Sequence, residues 1–180
     1  MALILYDLDP VHSQLGFSVM HLMITRVSGV FTKWTGSFAI DQAAQENSQL
    51  RVDIEAASVD TRNPQRDGHL RSPDFFDAEK FPTISFVTKL ISPAAAGWSL
   101  TGDFTLRGVT LPVTFQVTRG GEAKDSKGQV RVGYQARGSI SRKAFGVAWH
   151  AVYDGGSVVV GDEVELLLDL QLIPRGDGPR

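Results

Sequence analysis

Apolar and polar residues alternate along most of this chain, and that alternation limits the possible folds more than any other feature. A period of two places every second side chain on the same face, so each alternating run predicts a strand with one apolar face. About eight such runs are present, over residues 15–21, 34–40, 50–56, 84–90, 98–106, 113–117, 130–140 and 164–172. An open sheet of eight strands would leave two edges and an uncovered apolar face. The pattern therefore favours closure into a barrel or folding into a sandwich.

The length of 180 residues fits one domain with a substantial core, and no internal repeat or linker divides it. We expect residues 1–174 to form that domain. Residues 175–180 hold two glycines and a proline, and we expect them to form a disordered tail.

Charge and composition narrow the classes of partner. A net charge of −2 gives no overall field that would steer the chain to nucleic acid. No apolar run approaches the ~20 residues of a membrane span, so no integral membrane segment is expected. The N-terminus lacks the basic region and cleavage site of a signal peptide. Without cysteines there is no disulfide framework, which fits a reducing compartment. These features predict a soluble cytoplasmic protein.

One irregular segment, residues 66–77, interrupts the alternation with three acids, two arginines, one histidine and two phenylalanines. A short helical turn is expected from Asn63 or Pro64 to Leu70, followed by a second turn that Ser72 caps. Three arginines, Arg62, Arg66 and Arg71, could bind a phosphate group, or they could pair with Asp60, Asp67 and Asp74. The paired phenylalanines could form a lid over a ligand or a plug in the barrel.

The chain carries none of the common catalytic motifs, such as G-x-S-x-G, H-E-x-x-H or a phosphate-binding glycine loop. His12 cannot easily act on Ser13, because adjacent strand residues point to opposite faces. The four histidines are His12, His21, His69 and His150, and their spacing matches no standard zinc signature. No catalytic residue, cofactor or metal is therefore predicted. The alternative is a metal-binding protein or enzyme that uses histidines gathered at a barrel mouth.

Seven motifs, in order, resemble the YceI-like proteins, also called the polyisoprenoid-binding or bacterial lipocalin-like family. They are DPVHS with FSVMH (residues 9–13 and 17–21), GVF with WTG (29–31 and 34–36), SVDT with RDGHL and SPDFFD (58–61, 66–70 and 72–77), FPTISF (81–86), GDFTLRGVT (102–110), RKAFG (142–146) and VGDEV (160–164). The resemblance covers residues 6 to 174. Each motif is weak alone, but seven in the right order are highly specific.

The resemblance implies an all-β fold, an eight-stranded antiparallel lipocalin-like barrel with a short helical insertion between strands 3 and 4. It also implies an apolar tunnel for an isoprenoid or another long-chain amphiphilic lipid. The expected function is non-catalytic binding or carriage of that lipid. A barrel filled with side chains that acts through protein partners is a further possibility, and an exposed barrel strand could support a homodimer.

Strand parity assigns the side chains expected to face the ligand. They are Phe17, Trp34, Phe38, Val52, Ile54, Phe86, Leu100, Phe104, Phe115, Tyr134, Leu166 and Leu168, with Phe75 from the irregular segment. Apolar contacts select size and shape, so recognition of a head group needs polar residues at the mouth. The candidates, taken from the matched motifs, are His21, Arg66, His69 and Arg142.

Overall fold

The computed structural model describes residues 3–153 and 157–176, which form a strand-rich barrel. Its strands are β1 (Leu3–Leu8), β2 (Gln14–His21), β3 (Thr25–Phe31), β4 (Trp34–Asp41), β5 (Gln49–Glu55), β6 (Val59–Asp60), β7 (Thr83–Ala94), β8 (Gly97–Leu106), β9 (Val109–Lys124), β10 (Val130–Ser141), β11 (Val152–Tyr153), β12 (Ser157–Val158) and β13 (Val160–Pro174). Within this part of the chain the single α-helix is α1 (Pro64–Arg71), and 3-10 turns occupy Gln45–Asn47, Ala56–Ser58 and Lys143–Phe145. Most of the predicted disordered tail, residues 177–180, lies outside the described residues.

Eleven strands form the wall of the barrel, but they occupy only eight antiparallel positions around it. Three of these positions are each built from two consecutive strands. β1 and β2 both pair with β13, near its C-terminal and N-terminal ends respectively. β4 pairs with β1 and β5, whereas β3 pairs with β2 and β6. The remaining positions follow in the order β7, β8, β9, β10 and β13, and β13 returns to β1. The predicted eight-stranded antiparallel barrel is thus confirmed.

Three strands of the barrel wall, β1, β3 and β6, escaped prediction from the alternation, as did β11 and β12, which form a separate two-stranded sheet. β1 shows no alternation because both of its faces carry apolar side chains. Leu3 and Leu5 are exposed on the outer face, and Tyr6 is buried on the inner face. β6 has only two residues, too few for a periodic signal. The number of predicted strands still matched the barrel, because each broken wall position contributed one recognisable run.

Inward-facing aromatic rings pack against each other and against glycines in the wall. The rings of Phe86 and Phe115 meet edge-on with centroids 5.0 Å apart. A Cβ atom at Gly36 would lie 2.3 Å from Cε2 of the Phe38 ring, and one at Gly102 would lie 2.3 Å from the Val87 carbonyl oxygen and 2.7 Å from Cζ of the Phe86 ring. Both glycines therefore make room for a phenylalanine on the inner face of the barrel.

The helical insertion between the third and fourth wall positions is α1, as predicted. Asn63 caps it by accepting a hydrogen bond from the Arg66 N–H at 3.0 Å, with Pro64 at the first helical position. Ser72 ends α1 and also caps the turn that follows, as predicted. Its N–H and its Oγ donate to the His69 carbonyl, its Oγ accepts from the Asp74 N–H at 3.3 Å, and its carbonyl accepts from the Phe75 N–H at 3.0 Å. The residues after it form an irregular turn rather than a regular helix.

That irregular turn folds back over the end of α1 because two of its N–H groups bond backward. Phe76 donates to the Leu70 carbonyl at 2.9 Å, and Ala78 donates to the Arg71 carbonyl at 3.0 Å. Arg107, in the turn between β8 and β9, donates to the Phe75 carbonyl at 2.7 Å. The insertion is therefore fastened to the end of the barrel that we call the helical end. No helix in the described part of the chain is long and apolar enough to span a membrane.

Candidate functional site

A cavity of about 380 Å³ runs through the interior of the barrel. All eight wall positions, α1 with the turn that follows it, and the segment around residues 147–149 contribute side chains to it. Most of these side chains are aliphatic or aromatic. A site of this kind holds ligands through shape and apolar contact, and a few polar groups orient them.

The structure brings nearly all of the predicted ligand-facing residues onto the wall of this one cavity. Those that line it are Phe17, Phe38, Val52, Ile54, Phe75, Phe86, Leu100, Phe104, Phe115, Tyr134, Leu166 and Leu168, together with His21, Arg66, His69 and Arg142. Trp34 does not line the cavity. It opens β4 opposite Ile54 and is half-buried against the core. Its inward parity places it on the correct face, but at the end of its strand, beyond the cavity.

At the helical end, Arg66 belongs to a hydrogen-bonded group that fixes the start of α1. Its Nε donates to Oγ1 of Thr61 and its Nη2 donates to the Thr61 carbonyl, both at 2.8 Å. The Thr61 hydroxyl donates in turn to the buried Asp67 carboxylate at 2.6 Å, which also accepts from the Thr61 N–H at 2.9 Å. Arg66 is half-buried, and its two hydrogen bonds to Thr61 hold its guanidinium at a defined place on the cavity wall.

Arg142 is buried, and its guanidinium organises the backbone around it. It donates to four carbonyls: Gly161 and Val147 at 2.8 Å, Trp149 at 2.7 Å and Val160 at 3.1 Å. Four of its five N–H groups are thereby engaged. Arg142 lies on the cavity wall as predicted, but these bonds make it chiefly the anchor of the segment that carries Trp149.

The charge of Arg142 is balanced by Asp162. Burial lowers the pKa of Arg142, and the Asp162 charge opposes that shift. Burial would raise the pKa of Asp162. Hydrogen bonds from the Ser141 hydroxyl at 2.7 Å and the Lys143 N–H at 3.0 Å, with the charges of Lys143 and Arg142, outweigh burial and hold that pKa below its ordinary value. The Asp162 carboxyl is therefore ionised at neutral pH.

Three rings close the helical end of the cavity. His69 on α1 meets Phe75 edge-on with centroids 5.0 Å apart, and Phe75 lies 5.3 Å from the ring of Trp149. Nε2 of His69 lies 2.8 Å from the Asp74 carboxylate, which fixes the orientation of the imidazole. Sequence reasoning missed Trp149, because the segment that carries it is irregular and shows no alternation.

The opposite end of the cavity carries uncharged polar groups. Gln45 and Ser48, in the connection between β4 and β5, line it there. The Ser48 hydroxyl accepts from the Asp41 N–H at 2.9 Å. Burial, with Tyr6 nearby, raises the pKa of Tyr134, so its phenol stays neutral. The cavity thus has a helical end with charged groups and an opposite end without them on its wall.

The profile of the YceI-like domain matches residues 6–172. The chain belongs to the YceI-like family. A UPF0312 protein of Photorhabdus laumondii is 37% identical to this YceI-like chain over 139 residues, which cover 77% of this chain and 72% of that protein.

Solved structures share the barrel. BcnA of Burkholderia cenocepacia superposes with a TM-score of 0.80 and 25% identity, over 92% of this chain and 99% of that one. A polyisoprenoid-binding domain from Saccharophagus degradans has a TM-score of 0.64 and 17% identity, over 96% and 99%. At that identity the Saccharophagus domain shows a common fold alone.

The DPVHS motif of this YceI-like protein joins β1 to β2, and its polar side chains bond to strands of the barrel wall. Nδ1 of His12 lies 2.9 Å from the Asp9 carboxylate, which also accepts from Arg131. Ser13 Oγ accepts from the Gln171 N–H at 2.9 Å and donates to the Gln171 carbonyl at 3.4 Å. His12 and Ser13 thus bond to different partners. They lie in the loop between β1 and β2 and not in a strand, so the premise of the opposite-face argument was wrong.

The arginines after β6 bond to hydroxyl and backbone oxygens rather than to the neighbouring carboxylates, so the second of the two expectations from sequence is wrong for Arg66 and Arg71. Arg71 donates to the carbonyls of Ala57 at 2.8 Å and Val59 at 3.2 Å, and Arg66 holds Thr61. Both side chains thus fasten the insertion to the barrel through backbone and hydroxyl oxygens. Across residues 3–153 and 157–176, no three histidine or carboxylate side chains cluster as ligands for a metal ion.

Proposed function

We propose that this protein binds an isoprenoid or a similar long-chain amphiphilic lipid in its barrel cavity and carries it without changing it chemically. The observation that supports this most strongly is the continuous apolar wall to which all eight barrel positions contribute. Each buried CH₂ group contributes roughly 0.8 kcal/mol, so a few isoprene units supply ample driving force. The shared fold of a polyisoprenoid-binding domain supports the same proposal.

The size of the cavity limits how such a ligand is held. Its volume of about 380 Å³ lies near the lower end of the roughly 300–1,000 Å³ found for small-molecule sites. A short prenyl chain is accommodated within that volume. The rest of a long polyprenyl chain bends back or protrudes from one end of the barrel.

The asymmetry between the two ends orients the ligand. Arg66 uses Nε and Nη2 to hold Thr61, which leaves Nη1 for a head group. His21 and His69 line the same end, whereas Gln45 and Ser48 at the other end are uncharged. A polar or anionic head group is therefore held at the helical end, with the hydrocarbon pointing along the barrel.

The hydrogen bonding of the wall supports carriage rather than catalysis. A catalytic acid, base or nucleophile needs to reach the reacting atoms. Thr61 and Arg142 are instead engaged with Asp67 and with backbone carbonyls. These side chains maintain the shape of the cavity, and binding needs only that shape.

Native mass spectrometry of the purified protein, followed by organic extraction, tests the proposal. We expect a prenyl-containing lipid to co-purify, or added farnesol and geranylgeraniol to form one-to-one complexes. A retained metal ion without lipid would instead favour the metal-binding alternative. Failure to bind both added alcohols would refute carriage of isoprenoids.

A further inference from the structure

The turn between β2 and β3 presents large apolar side chains to solvent. Met23 is 61% exposed and Ile24 is 76% exposed. Exposed turns generally carry glycine, asparagine or other polar residues, because water solvates their backbone and side chains. Two neighbouring exposed apolar side chains at the tip of a hairpin are a feature that folding does not require.

The backbone of this turn adds to that argument. Leu22 and Met23 have φ angles of 53° and 58°, in the left-handed region that glycine and asparagine adopt most easily. The turn is nevertheless fixed, since the Ile24 N–H donates to the His21 carbonyl at 3.0 Å and the Leu22 N–H donates to the Val159 carbonyl at 2.8 Å. The hairpin therefore holds its apolar tip in a defined position at the expense of local strain.

The turn adjoins the cavity. Met20 and His21, just before it, and Val27, just after it, all line the cavity wall. The tip therefore extends directly from the rim of the helical end. Any surface that receives Met23 and Ile24 lies beside that rim.

The barrel wall next to this hairpin is not closed by a strand ladder. On its outer edge β3 pairs with β6 only at Val30 and Phe31, so residues 25–29 have no strand partner on that edge within the described chain. Arg66 and Leu70 of α1 line the cavity on this side instead. A passage between β3 and α1 can therefore open without breaking hydrogen bonds between strands.

We propose that the β2–β3 turn docks the protein on a lipid bilayer by inserting Met23 and Ile24, with the side of the barrel between β3 and α1 facing the membrane. This inference rests on the proposed lipid-binding function and adds the route by which the ligand enters and leaves. The hydrocarbon chain then passes between the bilayer and the cavity without crossing water.

A bilayer fits this surface better than a protein partner does. Two side chains on a turn cover far less than the roughly 1,000 Å² that a specific protein interface requires. Arg26, the cationic side chain near the turn, already pairs with Glu165 at 3.1 Å and is not available to bind an anionic head group. The attachment is thus apolar insertion at the membrane interface rather than attraction to anionic lipid.

Flotation of the protein with phosphatidylcholine vesicles tests the docking surface. We expect the wild-type protein to float with the vesicles and to keep doing so at high salt, since apolar insertion is not screened. The partition coefficient of the M23S/I24S variant onto the vesicles should be lower by at least about tenfold. Val11 is 83% exposed and lies at the opposite end of β2, so Val11→Ser is the matched control and should float normally.

Docking and ligand binding are separated by a second measurement on the same proteins. The M23S/I24S variant should bind geranylgeraniol at equilibrium as the wild type does, but should acquire it from vesicles several-fold more slowly. If neither protein binds geranylgeraniol while flotation still depends on Met23 and Ile24, the docking surface stands and the proposed function fails.

Three results would overturn the docking proposal. The first is a wild-type protein that does not float, and the second is a double variant that floats as well as the wild type. The third is a wild-type dimer, detected by light scattering, that the double variant abolishes while vesicles bind neither protein. That third result would assign the turn to a second copy of the chain.

Discussion

The imidazole of His69 meets the indole of Trp149 edge-on, with ring centroids 5.0 Å apart and planes at 87°. The two residues are eighty positions apart in sequence, one on α1 and one in the segment that Arg142 holds in place. Their contact joins the insertion to the far side of the barrel rim. With Phe75 they form the cover over the helical end of the cavity.

Removing the indole should open that cover. We expect Trp149→Ala to lower the free energy of unfolding by about 1–3 kcal/mol, because a half-buried ring and its aromatic contacts are lost. It should also raise the dissociation rate of geranylgeraniol several-fold. Urea unfolding and stopped-flow displacement measure the two effects. Trp34→Ala is the control, since Trp34 is half-buried but does not line the cavity. A similar rate increase in that variant would show that the cover plays no special part.

A methyl group at Gly36 should reduce the space for ligand. The added Cβ would lie 2.3 Å from the Phe38 ring, so the ring has to shift, and the cavity it lines is the adjacent free space. Isothermal titration should show about tenfold weaker binding of geranylgeraniol to Gly36→Ala, with a stability loss of about 1–3 kcal/mol. At the exposed Gly120 the nearest atom is 3.7 Å away, so Gly120→Ala should leave both quantities unchanged. Wild-type affinity in Gly36→Ala would mean that the ligand does not use this part of the cavity.

Acid should weaken the protein partly through Asp9. Burial raises the pKa of Asp9, but hydrogen bonds from the His12 side chain and from the N–H groups of His12 and Val11, with the His12 charge, hold it below its ordinary value. A carboxyl with a lowered pKa in the folded state adds stability above its unfolded pKa. That stability is lost as the pH falls through the folded value.

Asp9→Asn should therefore cost about 1–3 kcal/mol at neutral pH and progressively less below about pH 4. Urea unfolding of both proteins across that range measures the difference. Asp169→Asn, an exposed carboxyl on β13, controls for the loss of one negative charge. A cost for Asp9→Asn that stays the same at every pH would contradict the role given to its ionised form.

Arg66 should discriminate between ligands by their head groups. We expect Arg66→Gln to weaken binding of geranylgeranyl phosphate about tenfold more than binding of geranylgeraniol, because a charge-assisted hydrogen bond contributes only to the phosphate complex. Arg62 is exposed and does not line the cavity, so Arg62→Gln is the control. Equal losses for both ligands would indicate that Arg66 acts only through the start of α1.

The regular part of the fold was predictable from sequence because its signal is local. Leu100, Phe104 and Phe115 face inward since every second residue of a strand does, and the structure places all three on the cavity wall. Trp149 was not predictable in this way, because it sits in an irregular segment whose position depends on Arg142. The position of Arg142 could be predicted, but its four carbonyl partners come from residues 147–161, which only the folded chain brings around it.

The most direct test of the central claim is a crystal structure of the protein grown with geranylgeraniol. We expect continuous density for the hydrocarbon chain inside the barrel, between Phe86 and Leu166, with the hydroxyl toward Arg66. An empty cavity in crystals grown at saturating ligand concentration, or density confined to the outer surface, would contradict carriage of lipid in the barrel.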